Sequence, residues 1–384
     1  MRKILFLSCL MLALLASCSS SEDTADVKKS VSGSDNVDPS LIDSSYTYEL
    51  PVIFHVLYKD ANNASQYIPY ERLTQLLSYV NEVYQGNVYG ESANTNLKFV
   101  LATTDENGNT LKQPGVEYVK YTGDYPISPS EFMSGNNVSY IWEPNNYINI
   151  MMYNFKQESV DQVTLGLTSM PYCVTGHEVE GLSKASASLT KKNLKFAYCS
   201  SINSLYANVD RNGEYYESDR YTNADHEPSY LASADVVVTL CHELGHYLGL
   251  FHTFTEKETE TTNSDGTKSS GSEPVDDCDD TDYCTDTKSY NYVAYQKNLE
   301  SLYKQGNPHL SEMLKRTSCD GTTFNSEDIM DYAWTLGFQI TKEQKERIRN
   351  VLYYSPLMPG PKKRSTRAAS VSDEPIDLKI TLIK

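Results

Sequence analysis

The sequence predicts an α+β fold on three observations: an apolar β-branched run followed by a helix-periodic one, further strand-like runs before residue 175, and two well-bounded helices in the second half. The first strand is "YELPVIFHVLY", whose β-branched and aromatic content suits a buried position. After it, "PYERLTQLLSYVNEVYQG" brings Leu73, Leu76, Leu77, Val80 and Val83 to one helical face, and Gly86 supplies a stop. "NLKFVLAT", "YINIMMYNF" and "TLGLTSMPY" are further strand candidates. From about Thr175 to Ser233 the chain is rich in Tyr, Ser and Asn and reads as long connections that cover a sheet or rim a cleft. "SADVVVTLCHELGHYLGL" has Val237, Leu240, Leu244 and Leu248 at helical spacing before Gly249. The Thr/Ser/Glu-rich stretch 256–272 reads as a loop and leads into the acidic "DDCDDTDYCTD". A last helix, "TKEQKERIRNVLYYS", opens at Thr341 and stops before Pro356. The final "PGPKKRSTRAASVSDEPIDLKITLIK" is a basic linker with a strand-like end that either pairs with a sheet edge or hangs free.

With 384 residues, 22% charged and 39% hydrophobic, the chain has the composition of a globular protein with a real core. Its formal charge of −18 repels polyanions and argues against a nucleic-acid partner. The start, "MRKILFLSCLMLALLASC", joins Arg2 and Lys3 to an apolar run from Ile4 to Leu15 that is short for a membrane span, which is the pattern of an export signal. Ala16-Ser17-Cys18 resembles the lipobox of bacterial lipoproteins, so Cys18 is expected to be the lipidated first residue of the mature protein. Ser19, where Asp would retain a lipoprotein in the inner membrane, directs it by that resemblance to the outer membrane, and Glu22 and Asp23 suit display on the outer face. Six cysteines follow Cys18, and in an exported protein an even number reads first as disulfides.

The chemistry concentrates in "CHELGHYLGLFH". On a helix His242 and His246 share a face and can aim their imidazoles at one ion, with Glu243 beside them as a base. His252 lies ten residues beyond His242, about 15 Å along a continued helix, far beyond zinc–nitrogen bonds of about 2.0 Å. The helix must therefore break, and Gly249 stands where a left-handed residue would turn His252 back to the same ion. Three imidazoles leave a zinc ion one open position for water, the arrangement of a catalytic rather than a structural site. Glu243 would take the proton of that water as it attacks a polarised carbonyl and pass it to the leaving amine.

The run from His242 to His252 fits HExxHxxGxxH, the signature of metzincin metallopeptidases, and "EDIMDYAW" resembles their Met-turn. That resemblance makes Met330 the floor beneath the metal and Tyr332 a helper that steadies the tetrahedral intermediate. Within the clan the chain is most similar to the pappalysin family, through "LPVIFHVLY", "RLTQLLSYVNEVYQ", "LKFVLATTDENG", "YINIMMYNF" and "FQITKEQKERIR", and among its members to bacterial zinc-dependent metalloproteinase lipoproteins. The resemblance implies a twisted, mostly parallel sheet with helices in an upper subdomain to about residue 249, then an irregular lower subdomain with a C-terminal helix. The expected organisation is a signal peptide at 1–17, a flexible tether at 18–45, a catalytic domain at 46–358 and a tail at 359–384. "CDDTD" resembles a family calcium loop, which would use Asp279, Asp280 and Thr281. The expected activity is that of a lipid-anchored, monomeric zinc endopeptidase acting on protein or peptide. The competing reading is a surface binding protein or adhesin on a metzincin scaffold without hydrolysis.

Overall fold

The computed structural model describes residues 38–157, 163–208, 234–306, 308–332, 334–363 and 373–384, all in one compact unit. The expected signal peptide and Cys18 lie outside the described residues.

The central sheet has seven strands. Its middle strand, β1 (Tyr48–Tyr58), is buried continuously from Leu50 to Leu57, because both of its faces are covered. One edge of β1 is shared in parallel by β2 (Leu97–Leu101) along its first half and β3 (Val116–Lys120) along its second. On the other edge lies β4 (Ile148–Tyr153), also parallel. The sheet then continues outward through a strand at 200–203 to β5 (Gly166–Ser169), which runs antiparallel to its neighbour.

Three further strands complete the upper part of the chain. β6 (Tyr172–Val174) and β7 (Ser183–Ala185) form a small parallel pair, and β8 (Ser200–Asn203) is the strand between β4 and β5. The region from 175 onward, expected as connections, thus contributes β7 and β8. Its Ser-rich "SSIN" lacks the apolar alternation that announces a strand, since β8 is buried and its hydroxyls bond within the sheet; Tyr153 Oη donates to Ser201 Oγ at 2.9 Å.

Helix α1 (Tyr70–Gln85) buries the predicted apolar stripe and stops at Gly86, whose φ of 74° ends the helix. Each buried Leu on such a face contributes about 1.5–3 kcal/mol relative to exposure. After the short α2 (Pro129–Ser134) comes α3 (Val236–Tyr247), the helix of the histidine segment. Asp235 caps it by accepting from the amides of Val237 and Val238 at 2.9 and 3.1 Å. Tyr84 on α1 donates its hydroxyl to the carbonyl of Cys241 at 2.9 Å, tying the two helices together.

Beyond Gly249 the expected loop at 256–272 is instead a hairpin of β9 (Glu256–Thr262) and β10 (Lys268–Pro274). The β-branched threonines suit a pleated surface, and the strands are mostly solvated, so no apolar alternation marks them. The lower subdomain is accordingly less irregular than expected. It adds α4 (Tyr292–Gln305), α5 (Leu310–Met313), the pair β11 (Lys315–Thr317) and β12 (Thr323–Asn325), and α6 (Lys342–Tyr354). The tail, for which pairing and freedom were both open, pairs: β13 (Leu382–Ile383) runs antiparallel along β5 as the last strand of the sheet.

The cysteine expectation is corrected. Among the described residues one disulfide joins Cys278 to Cys319, while Cys173, Cys199, Cys241 and Cys284 remain buried thiols. Burial alone explains the thiols: a small apolar side chain is at home in a core, and burial pushes the Cys199 thiol up to about 12.

Arg316, buried on β11, organises the lower subdomain. Its guanidinium donates to the carbonyls of Met313 at 2.8 Å and of Tyr332 and Trp334 at 3.1 Å, lies 3.3 Å from Asp331 and sits 3.6 Å above the Tyr295 ring. Because removing one member of a buried ion pair strands the other, Arg316→Ala is expected to cost about 3–5 kcal/mol in chemical denaturation, and Arg316→Lys to recover little of it because an ammonium cannot span that fork of acceptors.

Candidate metal and catalytic site

The ligand geometry begins with the end of α3. Gly249, at φ 93°, receives the chain as it leaves the helix: its amide donates to the carbonyl of His246 at 2.9 Å, and the next amide, of Leu250, reaches back to Gly245 at 2.9 Å. This double bond to the last turn is a Schellman closure, and a side chain at Gly249 would also press on Val351 of α6. The turn delivers His252 to the face already formed by His242 and His246.

The three Nε2 atoms lie 3.0–3.1 Å apart, and all three rings are buried. Nδ1 of His242 lies 2.7 Å from the carbonyl of Ile329, and Nδ1 of His246 lies 2.9 Å from that of Leu250. A carbonyl can only accept, so these Nδ1 atoms carry the hydrogens and the Nε2 atoms present bare lone pairs. Nδ1 of His252 is 2.8 Å from the Glu256 carboxylate. Lone pairs aimed at one point repel unless a cation lies among them, and ligand nitrogens around tetrahedral zinc stand about 3.3 Å apart. The donor set thus fits zinc, and it is the one group of three metal-ligating side chains among the described residues.

Burial, with His252 alongside, pushes the His242 imidazole down to about 3, and burial with the two neighbouring rings pushes His246 well below its ordinary value. Both are neutral at physiological pH, as metal ligands must be.

Glu243 is held from β5. Thr168 Oγ1 donates to its Oε2 at 2.5 Å, and the same hydroxyl lies 2.9 Å from Ser200 Oγ. Gly166, two residues earlier on β5, leaves the space that the carboxylate fills, because a Cβ there would overlap it. Burial pushes the Glu243 carboxyl up to about 8, against the lowering effect of Thr168.

Met330 packs its thioether against α3 at Gly245, where a Cβ would overlap Sδ. Its turn grips the site through the carbonyl of Ile329, which orients His242. The Tyr332 ring centroid lies 4.4 Å from that of His252 and 5.6 Å from that of His242, and its hydroxyl donates to the main-chain oxygen of Lys384. Asp331 ties the turn down by accepting from Tyr290 and Ser326 beside Arg316.

The three residues of the expected calcium loop lie together, and part of their hydrogen-bonding capacity goes to neighbouring groups. The Asp279 carbonyl accepts from Thr255 Oγ1 at 2.7 Å, the Asp280 carboxylate from the amides of Asp282 and Tyr283, and Thr281 Oγ1 donates to the Phe254 carbonyl. Sequence reasoning missed Gly166, Thr168 and Arg316, which reach the site from distant strands, and Glu256, which lies four residues after the His252 it contacts. Only Gly245, inside the histidine segment, offered a local signal, as a helix-interior glycine that needs a packing reason.

Two imidazoles four residues apart, a glycine turn, a third imidazole and an apolar Met-turn are the elements of the metzincin signature, here brought together around one possible metal position. Residues 192–353, which hold all of these features, match the model of the family Peptidase_M43, described as pregnancy-associated plasma protein-A. No curated protein sequence matches the chain. Among solved structures, Tannerella forsythia mature mirolysin in complex with a cleaved peptide is 21% identical, with 79% of this chain and 91% of that chain covered at a TM-score of 0.47. A promirolysin mutant from the same organism is 19% identical, with 80% and 81% covered at a TM-score of 0.46.

The low imidazole values give a pH prediction for the metal-free protein. Their folded pKa values lie below the unfolded value, so the unfolded chain takes up protons first as pH falls. The stability they permit is complete above pH about 6.5, and is lost towards pH about 3 at about 1.4 kcal/mol per pH unit for each imidazole kept neutral. Because the raised Glu243 carboxyl works in the opposite direction, the measurement is the difference between urea denaturation profiles of the parent and a His242→Gln/His246→Gln variant at stepped pH with chelator present, and parallel profiles through that window would contradict the assignment.

Proposed function

We propose that the protein is a lipid-anchored zinc endopeptidase that cleaves protein or peptide chains at the outer membrane. The observation that carries the catalytic part is the convergence of three hydrogen-free Nε2 atoms beside a buried carboxylate.

His242, His246 and His252 would hold the metal through Nε2. Zinc, when bound there, supplies Lewis acidity to polarise the scissile carbonyl and acidify a water. Glu243 receives the proton of the attacking water: Thr168 occupies Oε2, which leaves Oε1 to hold it, and burial gives the carboxyl the proton affinity to do so near neutral pH. The same oxygen then returns the proton to the departing amine. Tyr332, whose hydroxyl burial keeps protonated, donates to the oxygen that gains charge at the attacked carbon.

The anchor is supported by the sequence at Cys18, and the outer-membrane destination by Ser19. A monomer is proposed, with no nucleic-acid role for so acidic a chain. Calcium on Asp279, Asp280 and Thr281 rests on the acid density of their loop and its resemblance to a family calcium loop, and enters no step of the reaction.

Glu243→Gln keeps the shape and the zinc ligands but cannot take a proton, so peptide cleavage is expected to fall by at least about 10²-fold with zinc stoichiometry unchanged. Equal cleavage by both forms would remove Glu243 from the reaction, and zinc binding without cleavage by the parent would favour the binding-protein reading. For the anchor, Cys18→Ser is expected to abolish labelling by a fatty-acid analogue and to move the protein out of the membrane fraction. Unchanged labelling and fractionation would refute it.

A further inference from the structure

We propose that residues 376–384 occupy the catalytic cleft as an added strand on β5 and restrain the enzyme by competing with substrate for that edge, an inference that rests on the peptidase reading.

The edge in question adjoins the chemistry directly. Thr168, the residue that holds Glu243, is on β5, and β5 is flanked on its inner side by β8, so its outer edge is available for a further strand. The tail takes that edge: Leu382 pairs with Ser169 and Ile383 with Thr168, and just beyond β5 the Met170 amide donates to the Thr381 carbonyl at 2.9 Å. From the other side, the Ser270 amide of β10 donates to the Ile380 carbonyl at 2.7 Å, so the tail lies between β5 and the hairpin.

Its approach is anchored as well. The Ile376 amide donates to Asn193, Tyr172 donates to the Lys379 carbonyl at 3.0 Å, and Lys379 pairs with Glu258. Ile380, Leu382 and Ile383 are buried. The segment ends at the reaction centre, where the main-chain oxygen of Lys384 accepts from Tyr332, the hydroxyl assigned to the developing oxyanion.

An open sheet edge binds an extended peptide mainly through main-chain hydrogen bonds, and such bonds do not distinguish the tail from another chain. A peptide that needs β5 and Tyr332 must displace the tail. Because the tail is tethered, it competes at an effective concentration on the order of millimolar, so the restraint is expected to raise KM more than it lowers kcat.

The test compares the soluble chain from Ser19 with a form ending at Lys363, and with a full-length Leu382→Asp/Ile383→Asp double variant that releases the tail without removing it. Zinc content and circular dichroism report folding, and the double variant decides if the truncated form fails to fold. A rise of about tenfold or more in kcat/KM, mostly through KM, is expected in the released forms. The synthetic peptide DEPIDLKITLIK should then inhibit them competitively. Where the full chain cleaves, folded, zinc-loaded released forms that cleave no faster would overturn the proposal.

A binding arm separates this outcome from failure of the peptidase reading. The fluorescein-labelled peptide is titrated into Glu243→Gln forms with and without residues 364–384. If no form cleaves, yet the peptide binds only the form lacking the tail, occlusion stands and the peptidase reading falls. If neither form binds it, occlusion falls whatever the enzyme does.

Discussion

The site depends on one constraint: a helix with its two imidazoles in place must end abruptly enough for a third, six residues after the second, to meet them. Gly249 meets it by closing the last turn of α3 in the left-handed region, so the chain reverses and the three Nε2 atoms come within 3.0–3.1 Å. A residue with a Cβ would be strained there and would also press on α6. The terminal helix therefore helps to set the metal geometry.

Around that turn the sheet and the lower subdomain act as two jaws. From above, β5 supplies Thr168 and the empty space at Gly166 that hold Glu243. From below, the Met-turn supplies the Ile329 carbonyl that orients His242 and the thioether against Gly245, and Arg316 and Asp331 keep it from shifting. The burial that keeps His242 and His246 neutral also raises the proton affinity of Glu243, so one dry environment prepares both ligands and base.

What the sequence made legible follows from how local each signal is. α1, α3 and α6 were readable because their apolar residues repeat at helical spacing, β1 because a continuous apolar run suits a strand covered on both faces, and His242, Glu243, His246, Gly249 and His252 because they sit within one short segment. Met330 and Tyr332 came only through family resemblance. Thr168 and Arg316 reach the site through strand pairing and long-range packing, which a single sequence does not display, whereas Glu256 is only four residues beyond His252 and lacked a helical period to mark it. β8 and the β9–β10 hairpin were hidden because one buries hydroxyl residues and the other is mostly solvated, so neither shows an apolar alternation. The cysteines misled because an even count suggests pairing, whereas only Cys278 and Cys319 meet among the described residues.

The most direct test of the central claim is X-ray absorption at the zinc edge on the reconstituted protein. The geometry predicts one zinc per chain with three imidazole nitrogens at about 2.0 Å and one oxygen ligand. Sulfur in the first shell, or a zinc environment unchanged by His252→Ala, would contradict it and remove the foundation on which the catalytic assignment stands.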